Sequence, residues 1–489
     1  MKRPLLTFAS LLLAGGLLAG CTAISDGSAA LTGSTAEAAT AETATSALTA
    51  FTGDLSPDAV LADNADYTTV NDDEWSVSDA VDVALNGSGA TSESSAVTSA
   101  GSTVTIGEAG VYRLSGTLDG QLVVDAPEDA VVVLILDGVT ITNDTGSAIT
   151  VASADDVGIH LAEGSENTVS DTSSYAEDAS GKAAIFSAAD LTVSGTGSLT
   201  VHGNGNDGIA SKDDLVILSG DIAVTAVDDA LRGKDALVVE GGTLSLTAAE
   251  GDGMKSNHDS DETRGYILIT GGTIDITAGD DGIQAETDTI VTGGTITVAV
   301  ADDGIKGELI VSVSGGDITV LESTEAIEAV NVAIFDGTID VTASDDGVNA
   351  AGLNDGTQNR EADTGERLEI SGGTITVHAG TDGLDSNGTI TITGGDLSIT
   401  SADNGGDTPL DANGEITVAD GVTITANGAE WDPDTAGQMG APGGGQMPGG
   451  GQMPGGDQMP GGGQMPGGDQ MPGGGNGGPV SGQASGNGS

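Results

Sequence analysis

Between Ala183 and Ala426 the chain repeats one phrase about ten times. The phrase is an acidic pair, Gly or Ala, one aliphatic, a short spacer, an apolar stretch, Gly-Gly-Thr and a second apolar stretch. The aliphatics are Ile185, Ile209, Leu231, Met254, Ile283, Ile305, Ile327, Val348, Leu384 and Leu410, at steps of 24, 22, 23, 29, 22, 22, 21, 36 and 26 residues. A period this regular is incompatible with a single globular core. It predicts a stack of near-identical coils, each burying its apolar edge on its neighbours.

Within one repeat, Asp302 to Val320, apolar and polar residues alternate in three short pieces separated by turns, which is strand periodicity; helical spacing is absent. The predicted fold is all-β, a parallel β-helix (solenoid) of about 10–12 coils of about 22 residues. At ~4.8 Å per coil, ten coils span on the order of 50 Å. The Gly-Gly pairs fit turns that need positive φ. The aliphatics predict one inward ladder, and Ser211, Gly233, Ser256, Ala285, Gly307, Ala329, Ala350, Ser386 and Ala412 a second one of small residues. Upstream, Tyr112 to Leu118 and Val131 to Ile141 read as the first coils, with residues near Trp75 as a cap over the open end. Insertions at Asn257 to Gly265 and Ala351 to Arg367 leave the coil at the same point and are placed to frame a binding face.

The ends have other compositions. Residues 1–21 read as a lipoprotein signal peptide: Lys2 and Arg3, an apolar run, and Leu18-Ala19-Gly20-Cys21, with lipid on Cys21, the one cysteine. Residues 22–65 read as a flexible Ala/Thr/Ser linker, 66–430 as the folded domain, and 431–489 as a disordered Gly/Met/Pro-rich tail with Met447, Met453, Met459, Met465 and Met471 in hexads. This predicts a secreted lipoprotein on the cell surface or outer membrane, a monomer that meets the membrane only through the lipid.

With 75 Asp and Glu against 12 Lys and Arg, the net charge of −63 makes nucleic acid and anionic lipid poor partners. Much of this charge lies in the repeated pair: Asn206-Asp207, Asp228-Asp229, Gly251-Asp252, Asp280-Asp281, Asp302-Asp303, Thr324-Glu325, Asp345-Asp346 and Thr381-Asp382. Stacked at ~4.8 Å, such carboxylates repel one another unless pKa values rise, Lys or Arg interleave, or a hard cation binds. Calcium, which takes 6–8 oxygen ligands, suits Asp207, Asp228, Asp229, Asp252, Asp280, Asp281, Asp302 and Asp303. Asp-Gly turn chemistry alone is the competing account. Just beyond each aliphatic stands an outward residue, among them Arg232, Lys255, Gln284, Lys306, Glu328, Asn349 and Asp385. Arg232, Lys255 and Lys306 either relieve the column or, with Arg264 of the first insertion, meet an anionic ligand.

The chain resembles the bacterial, often lipid-anchored carbohydrate-binding-domain proteins built as right-handed parallel β-helices. The resemblance rests on Leu136 to Ile141, Gly164 to Thr168, Ala184 to Ser187, Asp207 to Leu215, Gly251 to Ser256 and Asp281 to Thr287, and covers roughly residues 75–430. It implies a surface protein binding cellulose or polygalacturonate and containing calcium, with an architecture shared with pectate lyases. Through the Asp-Gly-aliphatic motif it implies Asp207, Asp229, Asp252, Asp281 and Asp303 as metal ligands. Thr324-Glu325-Ala326 departs from that motif and interrupts the column.

Three functions follow. The first is binding, with calcium bridging the protein to an acidic plant-type or cellulosic glycan. The second is a pectate-lyase-like eliminase, with Arg232, Lys255 or Lys306 as base; ammonium groups among carboxylates hold their protons and make poor bases. The third is a non-catalytic spacer or adhesin.

Overall fold

The computed structural model describes residues 51–353, 362–402 and 406–432. The leader, Cys21, most of the Met-rich tail and Arg360 of the second insertion lie outside them.

A typical coil contributes three short strands, which pair in parallel with their counterparts one coil away; in the coils of Ile305–Val313 and Ile327–Ile334 the first two are continuous. In one repeat the three are Asp207–Ser211, Asp214–Ile217 and Asp221–Ala226; in the next, Leu231–Gly233, Ala236–Val239 and Thr243–Ala248. The chain thus builds three ladders, as a β-helix requires. Register in the first ladder follows the repeated aliphatic: Ile185 pairs with Ile209, then Leu231, Met254, Ile283, Ile305, Ile327, Val348, Leu384 and Leu410. All of these side chains are at most 5% exposed and fill one continuous core. Two kinds of glycine permit the stacking. Gly294 of a Gly-Gly-Thr turn has φ +98°, which favours glycine. Gly282, after Asp281, needs room instead: a Cβ there would lie 2.5 Å from the Gly304 carbonyl of the next coil.

The ends are closed by antiparallel pairing, which hides the open sheet edge. At the start, Val81–Gly87 pairs with Ala90–Ser92 and Val97–Ala100 with Thr103–Ile106; at the finish, Ile424–Ala426 pairs with Ala429–Glu430. Trp75 does not cap the end. It lies edge-on to His160, ring centroids 4.9 Å apart, and packs beside Val70, Val111, Val133 and Ile135 on the flank of the rod.

The third strands alternate buried and exposed, as in Thr243–Ala248. The second strands do not: Asp214–Ile217, Ala236–Val239, Tyr266–Ile269 and Asp288–Val291 are buried at every position. A strand buried on both faces has something on its outside, and here it is the N-terminal segment. Residues 51–65, expected within the linker, are folded onto the rod and carry helix α1 (Pro57–Asp63). Leu55 and Val60, each 1% exposed, cover Val216, Val238, Leu268 and Ile290. Burial of this kind contributes roughly 1.5–3 kcal/mol per large aliphatic.

This strap descends the rod against the direction of the coils. Arg367 donates to the Gly53 carbonyl (2.9 Å), Ser312 to Leu55 O (2.7 Å), Asn64 Nδ2 to Asp288 Oδ2 (2.8 Å) and Tyr266 to Ala65 O (2.9 Å). Below these, Thr68 N–H donates to Asp214 Oδ2 and Val70 N–H to Thr192 Oγ1, both at 3.0 Å. Burial pushes the Asp288 carboxyl up to about 7. The Oδ1 atoms of Asp288 and Asn64 are both buried without a partner.

Candidate functional site

The turn from each third strand into the next first strand carries the acidic pair. Its second member is drawn inside: Asp207, Asp229, Asp252, Asp281 and Asp303 are 1, 5, 1, 7 and 3% exposed. The glycine that follows lets the next coil approach closely, and one carboxylate oxygen answers a backbone group there. Asp252 N–H donates to Asp229 Oδ1 (3.1 Å), Asp281 N–H to Asp252 Oδ1 (2.9 Å) and Asp303 N–H to Asp281 Oδ1 (2.8 Å). The same link recurs downstream, from Asp382 N–H to Asp346 Oδ1 (2.9 Å) and from Thr408 N–H to Asp382 Oδ1 (2.5 Å). Between these stretches Glu325 interrupts it, its carboxylate accepting from Asn349 Nδ2 at 2.8 Å. Turn chemistry therefore accounts for one oxygen of Asp229, Asp252 and Asp281, and of Asp346 and Asp382 downstream.

The other oxygen carries the electrostatics. Lys255 Nζ lies 2.5 Å from Asp252 Oδ2, and Lys306 Nζ lies 2.6 Å from Asp303 Oδ2 and 3.0 Å from Glu328 Oε2. Arg232 Nε donates to Asp207 Oδ2 of the preceding coil at 2.9 Å and stands 3.7 Å from Asp229 Oδ2. These three side chains are thus counter-ions of the column. Arg264 is elsewhere: with His258 Nδ1 (2.6 Å from Asp235 Oδ1) it ties the first insertion to buried Asp235, and it lies 3.7 Å from Asp213.

Three cations do not balance the edge. Burial, against the pull of Arg232, pushes Asp207 up to about 6. Burial and the charge of Asp207 push Asp229 to about 7. Asp281 also reaches about 7 through burial and the charges of Asp303 and Asp252. Asp303 rises to about 6 through burial and Glu328, against Lys306. Downstream, burial is again the first cause for Glu325 (about 8), Asp382 (about 6) and Asp385 (about 7), where like charges add.

All eight acids expected as metal ligands come together in triplets whose oxygens lie within 4.8 Å of one another: Asp207 with Asp228 and Asp229, Asp252 with Asp280 and Asp281, Asp281 with Asp302 and Asp303. The last two share Asp281. In that coil the outward position held by Lys255 and Lys306 is the neutral Gln284, which pairs with both in the ladder. Its Oε1 is buried without a hydrogen-bond partner. Several carboxylates and an orphaned amide oxygen, with no lysine at the matching position, form a donor set that suits a hard cation such as calcium.

Two further acidic groups were not picked out from the sequence as sites. Asp303, Glu325 and Glu328 form one. Asp190, Asp213 and Asp214 form another at the turn into the second strands, where Asp214 N–H donates to Asp190 Oδ1 (3.1 Å). The signal for the latter was the recurrence of Asp at the start of second strands, Asp156, Asp190, Asp214 and Asp288.

A family model described as carbohydrate-binding domain-containing protein matches residues 100–359. A protein of the same description from Acetivibrio thermocellus is 43% identical over 187 residues, which are 37% of this chain and 65% of that relative, so the chain spans less than two thirds of its length. Among solved structures, a polysaccharide lyase-like protein from C. thermocellum aligns at 33% identity and a TM-score of 0.47, over 48% of this chain and 96% of its own.

Proposed function

This chain belongs to the carbohydrate-binding domain-containing protein family, and from that premise we propose that it binds an acidic or cellulosic polysaccharide along the acidic edge of the solenoid. The observation that carries the reading is the Gln284 coil, where Asp281 is shared by two acidic triplets, Asp252 with Asp280 and Asp281 and Asp281 with Asp302 and Asp303, and the outward position holds a neutral amide in place of a lysine. These acids and Gln284 Oε1 would hold calcium, which when bound supplies positive charge that a uronate carboxylate or paired sugar hydroxyls can share. The protein's part is to fix the carboxylates on a rigid stack, so that little ordering is required on binding. Lipidation of Cys21 would present the rod at the cell surface.

The lyase alternative needs a base. Burial pulls Lys306 down, but the hydrogen bond to Asp303 and the charges of Asp303 and Glu328 outweigh it and hold the ammonium well above the ordinary lysine range. Lys255 is raised in the same way by Asp252 and Asp229, against burial. Groups that keep their protons this firmly abstract none at neutral pH, so binding is the better-supported reading. The test is co-sedimentation with polygalacturonate and with cellulose, in calcium and in EDTA, with absorbance of unsaturated ends followed in parallel. Calcium-dependent sedimentation without new absorbance supports binding. New absorbance would establish lyase chemistry, and neither signal would leave a spacer.

A further inference from the structure

We propose that the first insertion carries a catalytic site with Ser260 as nucleophile, His258 as general base and Asp235 as the residue that positions the base, and that its substrate is an acetyl ester on a sugar hydroxyl. Placing that ester on a glycan rests on the polysaccharide reading above; the nucleophilic site itself does not.

Three side chains form a continuous hydrogen-bonded chain. Asp235 precedes the strand Ala236–Val239 and is 6% exposed. His258 Nδ1 lies 2.6 Å from Asp235 Oδ1, and His258 Nε2 lies 3.0 Å from Ser260 Oγ. A carboxylate only accepts, so the proton of the neutral imidazole sits on Nδ1, and Nε2 turns its lone pair to the serine hydroxyl. A serine nucleophile needs this order: a base within hydrogen-bond reach, itself oriented by a third group. Burial follows the same order, with the side chains of Asp235 and His258 8% and 14% exposed and Ser260 open to solvent.

The insertion is held in place around these groups. Gly265 N–H donates to Asp235 O (2.6 Å), Thr287 N–H to Gly265 O (3.0 Å) and the strap's Ala65 N–H to Thr263 O (2.8 Å). Thr263 N–H and Oγ1 both donate to Asp261 Oδ1, at 3.1 and 2.8 Å. The backbone N–H groups of Ser260 and Asp261 donate to no group among the described residues, which leaves them for the oxyanion that forms on an attacked carbonyl. Lys234 Nζ stands 3.4 Å from His258 Nδ1 and 4.0 Å from Asp235 Oδ1, and Arg264 pairs with Asp235 Oδ2. Asp213 and Asp261 answer Arg264 at 3.7 and 3.9 Å. Asp235, Asp213 and Asp261 together outweigh Lys234 and Arg264, and so favour the imidazolium that proton transfer creates.

The surroundings select the ester. Asp259, Asp261 and Glu262 are exposed beside Ser260 and repel phosphate and sulfate esters. An open nucleophile suits a small acyl group on an alcohol that is part of a large molecule. Ser260 Oγ bonds to the carbonyl carbon as its proton passes to His258 Nε2; the bond to the alkoxy oxygen then breaks, and the alcohol leaves with that proton. Water next attacks the acyl-serine, giving its proton to Nε2, and the bond to Oγ breaks, with Oγ taking the proton and acetic acid departing.

The test uses the whole secreted chain in EDTA, where cation-bridged glycan binding is switched off. Hydrolysis of 4-nitrophenyl acetate is followed, with mass spectrometry of the adduct left by a phosphonofluoridate probe. Ser260→Ala, at an exposed position, should lower the rate roughly a hundredfold or more and abolish the adduct, and His258→Gln should do the same. Asp235→Asn should move the midpoint of the rate's rise with pH downward, because the imidazolium loses its carboxylate; an unshifted midpoint overturns the role of Asp235. Equal rates in the parent and Ser260→Ala, or an adduct on any other residue, overturn the site. Acetate release is then measured from partly O-acetylated cellulose and polygalacturonate. Hydrolysis of the nitrophenyl ester with no acetate from either overturns the substrate. Failure to sediment with glycan, with ester hydrolysis intact, counts against the polysaccharide reading alone.

Discussion

On the second ladder, the outward side chains Val216, Val238, Leu268 and Ile290 are at most 2% exposed because the chain's own N-terminal strap lies over them. On the acidic edge, the outward Arg232 and Lys255 remain 28% exposed and Lys306 23%, set directly against the carboxylates. Both surfaces arise from the same event, a residue type repeated once per coil and stacked into a column. An apolar column gains from any cover and is closed within the chain. A carboxylate column loses by being covered, because its charge needs a partner and not merely exclusion of water. It is partly answered by Arg232, Lys255 and Lys306, and the outward position of the intervening coil holds the neutral Gln284.

The comparison breaks most visibly at the strap. Leu55→Asp together with Val60→Asp should uncover the apolar column and cost on the order of 4–6 kcal/mol. Urea unfolding and binding of a hydrophobic dye would report it, and unchanged values would mean that the strap is not a structural cover. Next comes pH. The Asp288 carboxyl sits at about 7 against an ordinary 3.8, so between those values the folded chain keeps a proton that the unfolded chain has lost. Stability from this group is present at low pH and is lost as pH rises through about 7, with a ceiling of about 4 kcal/mol. Asp288→Asn should flatten that part of the profile, and an unaltered slope would remove Asp288 as its source. Lys306→Met strands Asp303 and Glu328 and should cost about 2–3 kcal/mol, read as a lower Tm in chelator that calcium partly restores. The smallest effect is expected of Gln284→Lys, which completes the counter-ion row. It should add about 1 kcal/mol without calcium and lessen the stabilisation calcium gives.

How much of this the sequence discloses differs between the two columns. The period and the aliphatics from Ile185 to Leu410 predict the coil register residue for residue, because a solenoid core is a one-dimensional pattern. The acids from Asp207 to Asp303 are legible for the same reason, including the interruption at Glu325. The strap is not, since Leu55 and Val60 stand in Ala- and Thr-rich sequence and meet partners more than a hundred residues away. Its trace was in the second strands, where Leu215-Val216-Ile217 and Ile267-Leu268-Ile269 run apolar without alternating. The roles of Arg232, Lys255 and Lys306 as counter-ions needed coordinates, because spacing gives the face of a side chain but not which oxygen it meets. Arg264, near the column in sequence pattern alone, proved to belong to Asp235.

Affinity electrophoresis in gels cast with polygalacturonate tests the central claim most directly. The parent chain and Asp281→Asn are run in calcium and in EDTA. Retardation of the parent in calcium, its loss in EDTA and a marked reduction in Asp281→Asn are the predicted result. Equal migration with and without calcium, or equal retardation of parent and variant, would contradict a cation-bridged acidic edge as the glycan-binding surface.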